Sequence, residues 1–310
     1  MTSRSRPTPI PVAGLALALA GCAPAAASLD CDADVDVLEG ADREALFAVP
    51  DGTPRGLAVF FHGLGEGACN WADRVEEDRV ADAALERGLA WVAPDGADAA
   101  WNVDSGPDEV APVDALIARL EDDGVLPAGL PTLALGHSNG GAFAQVYAVD
   151  GARDVVAAVN ANGWGTAALG PDATPPPMLF VTAENDTVVS ATTVLDAATA
   201  AADRGHDVRV ELHVRTRLEL DRFTRIPGID EDGAAELIAA FEGALLLDRS
   251  GRPVTNPRTD TRYAAAIPAS MDELASDINE QLHVAFAEHR FSSADIDAVF
   301  GLFDEATGAE

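Results

Sequence analysis

The sequence predicts an α/β fold: a mostly parallel central sheet with helices on both faces. Three observations carry this. Short runs that are apolar throughout alternate with stretches of helical periodicity. The runs lack the polar alternation of a strand with one wet face, so they read as strands buried on both sides. One of them leads into Gly136-His137-Ser138-Asn139-Gly140, a G-x-S-x-G that opens a helix. A length of 310 residues suits one large domain or two small ones.

Taken in order, Gly56 to Phe61 is the first buried strand expected and Leu89 to Ala93 the next, with a helix over 71–87 between them. Val113, Leu116, Ile117 and Leu120 form the i, i+3, i+4, i+7 stripe of an amphipathic helix over 113–122. Pro131 to Leu135 is a third strand, followed by a helix of small residues from Gly140. Val155 to Val159 and Met178 to Thr182 are the fourth and fifth strands. A helix over 191–203 and a sixth strand, Val208 to Val214, complete the alternation. Residues 215–268 break the rhythm with a helical stretch (Leu237, Phe241, Leu245) and a loop over 250–262 rich in arginine and proline. Ser270 and Glu273 make a capping box for a helix whose apolar face is Leu274, Ile278, Leu282 and Ala285. A last helix is expected from near Ser292, with Ile296, Val299, Phe300 and Phe303 on one stripe. No internal repeat is found.

Composition narrows the function classes. Hydrophobic residues are 48% and charged residues 23%, as in globular chains. The net charge is −32, and every basic residue other than histidine is arginine. A surface that coats nucleic acid needs a positive field, and docking on anionic lipid needs basic patches; neither is present. The acidity fits adaptation to salt and equally fits codon bias. Three cysteines and six histidines are too few for a disulfide-dense scaffold or a zinc ribbon, so no metal ligand set is assigned.

The first residues read as a targeting segment. Arg4 and Arg6 precede an apolar run, Val12 to Ala20, shorter than the ~20 residues that span a bilayer. The run ends in Leu19-Ala20-Gly21-Cys22, which resembles a bacterial lipoprotein signal, with cleavage before Cys22 and lipid on its thiol; an ordinary secretory signal is the other reading. Cys31 and Cys69 would then lie in an oxidising compartment, either bridged or as two free thiols.

The chemistry centres on Ser138. A sharp strand-to-helix turn would lift its hydroxyl above the sheet edge, with glycines on either side to avoid collisions. Upstream, the 56–61 strand ends in His62-Gly63-Leu64-Gly65. The backbone N–H groups of Leu64 and Asn139 are the expected oxyanion hole. Trp101 and Asn102 follow a strand end on the same side and either line a substrate pocket or pack beneath the loop.

With these segments in place, the chain resembles the α/β-hydrolase superfamily, most closely its secreted polyhydroxyalkanoate-depolymerase and feruloyl-esterase-like branch. The resemblance rests on FFHGLGEG (60–67), APDG with WN (93–96, 101–102), LGHSNGGAFA (135–144) and MLFVTAENDTVV (178–189). It implies the order serine, acid, histidine. Asp186 matches the acid position, with Glu184 as competitor and Ala183 where glycine is usual. It implies a histidine in a loop before the last helix, which His289 fits. His213 is the runner-up, while His206 and His283 read as surface residues. His62 and His137 become scaffold residues. The organisation implied is a signal over 1–21, a tether and N-terminal segment over 22–40, a hydrolase core over 41–214, a helical insertion over 215–268 and the C-terminal part of the core over 269–310. The insertion is either a lid or a surface decoration.

The function expected is that of an extracytoplasmic serine esterase acting on small or polymeric esters without a cofactor. It would be held to a membrane through Cys22, periplasmic or at the cell surface. A related serine peptidase and a non-catalytic lipoprotein that keeps the fold for binding are the alternatives. Oligomeric state is not legible.

Overall fold

A computed structural model describes residues 29, 31–33, 35–40 and 43–309 of the chain. The signal segment and Cys22 lie outside the described residues.

The elements follow in chain order. β1 (Asp36–Glu39), β2 (Glu44–Ala48) and β3 (Gly56–Phe61) lead into the short helix α1 (Asn70–Asp73) and then α2 (Val75–Glu86). β4 (Leu89–Pro94), α3 (Pro107–Asp122), β5 (Thr132–His137), α4 (Asn139–Asp150) and β6 (Val155–Ala161) follow. β7 (Met178–Ala183), α5 (Ala191–Asp203) and β8 (Val208–His213) complete the sheet. Beyond it come α6 (Leu220–Thr224), α7 (Glu231–Gly243), α8 (Arg262–Ala266), α9 (Ala275–Phe286) and α10 (Ile296–Thr307).

The eight strands lie in the order β1-β2-β4-β3-β5-β6-β7-β8. β2 pairs antiparallel with both neighbours, and every pair from β4 to β8 is parallel. Alternate residues of each central strand feed two cores. On β3, Leu57, Val59 and Phe61 face α3, α4 and α5, whereas Ala58 and Phe60 face α1, α2 and α10. That is why these strands are apolar at nearly every position. This sheet, with one reversed strand near its edge and a serine turn after β5, is the α/β-hydrolase fold.

A third core belongs to residues 215–268. Phe223, Leu237, Phe241 and Tyr263 pack with one another and with Ile278, Leu282 and Ala285 of α9. Tyr263 donates its hydroxyl to the Leu246 carbonyl at 2.9 Å, so its buried oxygen is satisfied.

The sheet begins at Asp36, within the 22–40 stretch read as tether and N-terminal segment. Two helix expectations are corrected. The helix expected over 71–87 is broken at Arg74, which is extended (φ −97°, ψ 136°) and sends its guanidinium to Glu66. The Ser270–Glu273 capping box does not form: residues 269–274 are a 3₁₀ turn after Pro268, and α9 starts only at Ala275. Ser292 caps a 3₁₀ turn, accepting from the Ala294 N–H, and α10 follows it. Cys31 and Cys69 are bonded to each other, with Cα atoms 5.3 Å apart. Asp73 adds to this tie by accepting the Ala33 N–H at 2.9 Å.

Candidate active site

Ser138 sits at φ 55°, ψ −118°, a conformation that side chains other than glycine rarely adopt. Two glycines make the turn possible. A Cβ on Gly136 would stand 2.2 Å from the Gly140 carbonyl oxygen, and one on Gly140 would stand 2.2 Å from that of Phe61. The second contact shows how closely the start of α4 approaches the end of β3, which brings the His62–Gly67 loop beside the serine.

Three side chains from distant loops meet here. The Ser138 hydroxyl donates to His289 Nε2 at 2.9 Å, and His289 Nδ1 donates to Asp186 Oδ2 at 2.7 Å. The other Asp186 oxygen accepts the N–H groups of Val188 and Val189, each at 2.8 Å. The carboxylate thus accepts from Nδ1–H and fixes the tautomer whose bare Nε2 faces the hydroxyl. All three residues are buried.

The loop carrying His289 is fixed from several sides. α9 ends at Ala287 with φ 57°. Asn185 donates from its backbone to the Ala287 carbonyl at 2.9 Å and from its side chain to the Phe286 carbonyl at 2.7 Å. Asn162 donates to the Arg290 carbonyl at 2.8 Å. Glu288 is buried and accepts from the Thr187 hydroxyl at 2.7 Å.

The oxyanion loop is equally constrained. Gly63 donates its N–H to Glu66 Oε2 at 2.9 Å, and Gly65 donates to the Ala99 carbonyl at 2.8 Å. Between them, the Leu64 N–H has no acceptor among the described residues, nor has that of Asn139 at the start of α4. These two unpaired N–H groups, one on the loop after β3 and one at the start of α4, are donors of the kind that a developing oxyanion requires. His62 accepts the Gly96 N–H at Nε2 and donates from Nδ1 to the Gly63 carbonyl, both at 2.8 Å. Burial pulls the His62 pKa down, which keeps this neutral tautomer.

His137, the x before the serine, is buried, and its ring lies 5.0 Å from that of His289. Burial lowers its pKa as well. Glu66 lies 3.8 Å from His137 Nδ1 and accepts from Arg74 at 2.6 Å. Burial pushes the Glu66 carboxyl up, but His137 and Arg74 outweigh it and hold the group well below the usual carboxylate range.

Four residues weighed in the sequence have other places. Trp101 is 3% exposed, stacked on Phe143 at 4.7 Å with Arg43 over its ring, and donates to the His62 carbonyl at 3.0 Å. Its backbone is clasped by the Asn139 side chain at 2.7 and 3.0 Å. Of the two readings of Trp101, substrate-pocket lining and packing beneath the loop, these contacts fit the second. His213 is in close contact with Asp295 through Nε2, so its ring serves that carboxylate and not the serine. His283 is buried, not on the surface. Glu184 accepts the Arg215 N–H at 2.7 Å, leaving Asp186 as the acid at the histidine. Glu66, Asn162, Asn185, Thr187 and Glu288 escaped the sequence reading; the Glu in HGLGEG, three residues past Gly63, was the one signal at hand. Among the described residues the one cluster of potential metal ligands is Cys31, Cys69 and Asp73, and its sulfurs are bonded to each other.

No protein-family model and no curated protein matches the chain. Solved structures to which the chain is similar include the esterase PE8, at 17% identity over 56% of this chain and 91% of that one, with a TM-score of 0.43. Another is the S-formylglutathione hydrolase FrmB of Staphylococcus aureus, at 15% identity over 57% and 86%, with a TM-score of 0.48. A third is an acylaminoacyl peptidase of Pyrococcus horikoshii, at 11% over 59% and 36%, with a TM-score of 0.46.

Proposed function

We propose that the protein is an extracytoplasmic serine hydrolase that cleaves carboxylic esters through an acyl-enzyme. The observation that carries this reading is the unbroken chain Ser138–His289–Asp186 at 2.9 and 2.7 Å on a strained turn. In this mechanism Ser138 Oγ attacks the ester carbonyl as its proton passes to His289 Nε2. The N–H groups of Leu64 and Asn139 hold the oxyanion, each contributing about 3 kcal/mol. The imidazolium returns the proton to the leaving alkoxide, water repeats the sequence, and the acid is released. Asp186 keeps the ring oriented and stabilises its cationic form.

The site of action is part of the proposal. An apolar run ending at Cys22 supports export and a lipid anchor on that residue. The Cys31–Cys69 bond supports an oxidising compartment. The substrate side is a small or polymeric ester.

The test is turnover of p-nitrophenyl esters by wild type, Ser138→Ala, His289→Ala and Asp186→Asn. The two alanine variants are expected to lose about 10⁴- to 10⁶-fold in kcat, and the asparagine variant about 10⁴-fold. Folded wild type that turns over no ester and takes no fluorophosphonate would favour a binding protein on a hydrolase scaffold. Turnover of peptide and not ester substrates would move the reading to a peptidase.

A further inference from the structure

The segment 215–268 carries two arginines that reach the loops of the triad. Arg215 donates its N–H to Glu184 Oε1 at 2.7 Å, with its guanidinium at 3.6 Å; Glu184 is two residues before Asp186. Arg258 lies 3.1 Å from Glu288 Oε2, and Glu288 directly precedes His289. The Glu288 side chain is fully buried, and its other oxygen accepts from Thr187, on the acid loop, at 2.7 Å. One carboxylate therefore joins the acid loop, the histidine loop and the insertion.

Arg258 is held ready for this contact. It donates its N–H to the Asn256 side chain at 2.8 Å, and Thr259 and Asp260 donate to the Asn256 carbonyl. Pro257 beside it is buried. Behind the loop stands the insertion's own core, shared with α9, the helix that delivers His289. Among the described residues no hydrogen bond or ion pair runs from 215–268 to the His62–Gly67 loop or the serine turn.

From this arrangement we infer that 215–268 is a brace for the histidine, with Arg258 a positioning residue that neutralises Glu288 and locks the loop of His289. The inference rests on the triad reading above. A buried carboxylate without its cation is costly, so loss of Arg258 either displaces the loop or leaves a negative charge beside the imidazole. The charge favours the imidazolium and withdraws the base. The groups facing His289 are Ser138, Asp186 and the His137 ring, and Glu288 and Arg290 adjoin it in the chain. Glu66 stands behind His137, and α9 adds His283, whose charged neighbours are Arg290, Glu288 and Arg258.

The experiment compares wild type with Arg258→Met, Arg258→Lys and the double variant Arg258→Met/Glu288→Gln, on p-nitrophenyl acetate and on a bulky acyl ester. A brace predicts that Arg258→Met loses about tenfold in kcat on both esters with KM unchanged, and that the acid limb of the pH–rate curve moves to higher pH. Arg258→Lys regains most of the rate. The double variant, with no orphaned charge, returns to within about threefold of wild type. If Arg258→Met loses its cooperative thermal transition, the lysine and double variants carry the comparison. Active wild type with an unchanged Arg258→Met, or with a loss graded by acyl size as a lid would give, overturns the brace and leaves the hydrolase reading standing. Wild type inert toward both esters and toward fluorophosphonate overturns both.

Discussion

His289 can act as a base only while its bare nitrogen faces Ser138, and each neighbouring group has little freedom to do anything else. Asp186 is committed to Nδ1 and to two backbone N–H groups. Glu66 plays the same part for the oxyanion loop, by holding the Gly63 N–H next to Leu64 while Arg74 balances its charge. Glu66→Ala is expected to lower kcat ten- to about a hundredfold with little change in KM, short of the 10²–10³ of losing an oxyanion donor outright. Glu66→Gln, which keeps an acceptor, is expected to stay within about tenfold. Steady-state kinetics on one small ester decides this; an unchanged kcat in Glu66→Ala would show that the loop holds its shape without the carboxylate. Ser138, Asp186 and His289 could be named from motif order. Asn162 and Glu288 could not, because their partners lie 128 and 101 residues away, and Glu66, marked only by its place in HGLGEG, is one of 52 acidic residues.

Secondary elements were legible where both faces are buried. β3 to β7 are apolar at all positions except Thr132, His137, Asn160 and Thr182, and their extents were predicted to within about two residues. β1 and β2 were missed: β1 is four residues long, mostly exposed and bounded by Asp36 and Glu39, and the apolar run of β2 is short and opens on Glu44. The break between α1 and α2 was also invisible, since nothing local distinguishes Arg74 from a helical arginine; its side chain is drawn to Glu66. The N-terminal stretch leading to β1 is tied to α1 by the Cys31–Cys69 bond, which closes a loop across a sequence separation of 38. A loop of that length is worth about 2–4 kcal/mol through the unfolded chain. The double variant Cys31→Ser/Cys69→Ser should therefore lose that much unfolding free energy in urea, with a lower midpoint and a slope equal or steeper as the unfolded chain expands, and an unchanged midpoint would mean that strand pairing alone secures the segment.

Across the whole molecule, charge sets the conditions under which the fold is firm. A net charge of −32 makes the compact state repel itself. Raising ionic strength from 0.1 to 1 M shortens the screening length from about 10 to 3 Å. The thermal midpoint should rise across that range by calorimetry. A flat or falling midpoint would mean that lost ion pairs, such as Arg209–Glu305 and Arg87–Asp297 on the surface, cancel the relief. The two cores flanking the sheet were legible in outline. The third was not, because its helices pack on α9 and on Val75 of α2, contacts far apart in the chain.

The central claim is that the Ser138 hydroxyl becomes acylated during turnover. The most direct measurement is peptide mapping of protein quenched in acid during reaction with p-nitrophenyl acetate. An acetyl group on Ser138, absent from Ser138→Ala, is the predicted result; ester turnover with the acetyl group on another residue, or with Ser138 unmodified throughout, would contradict it.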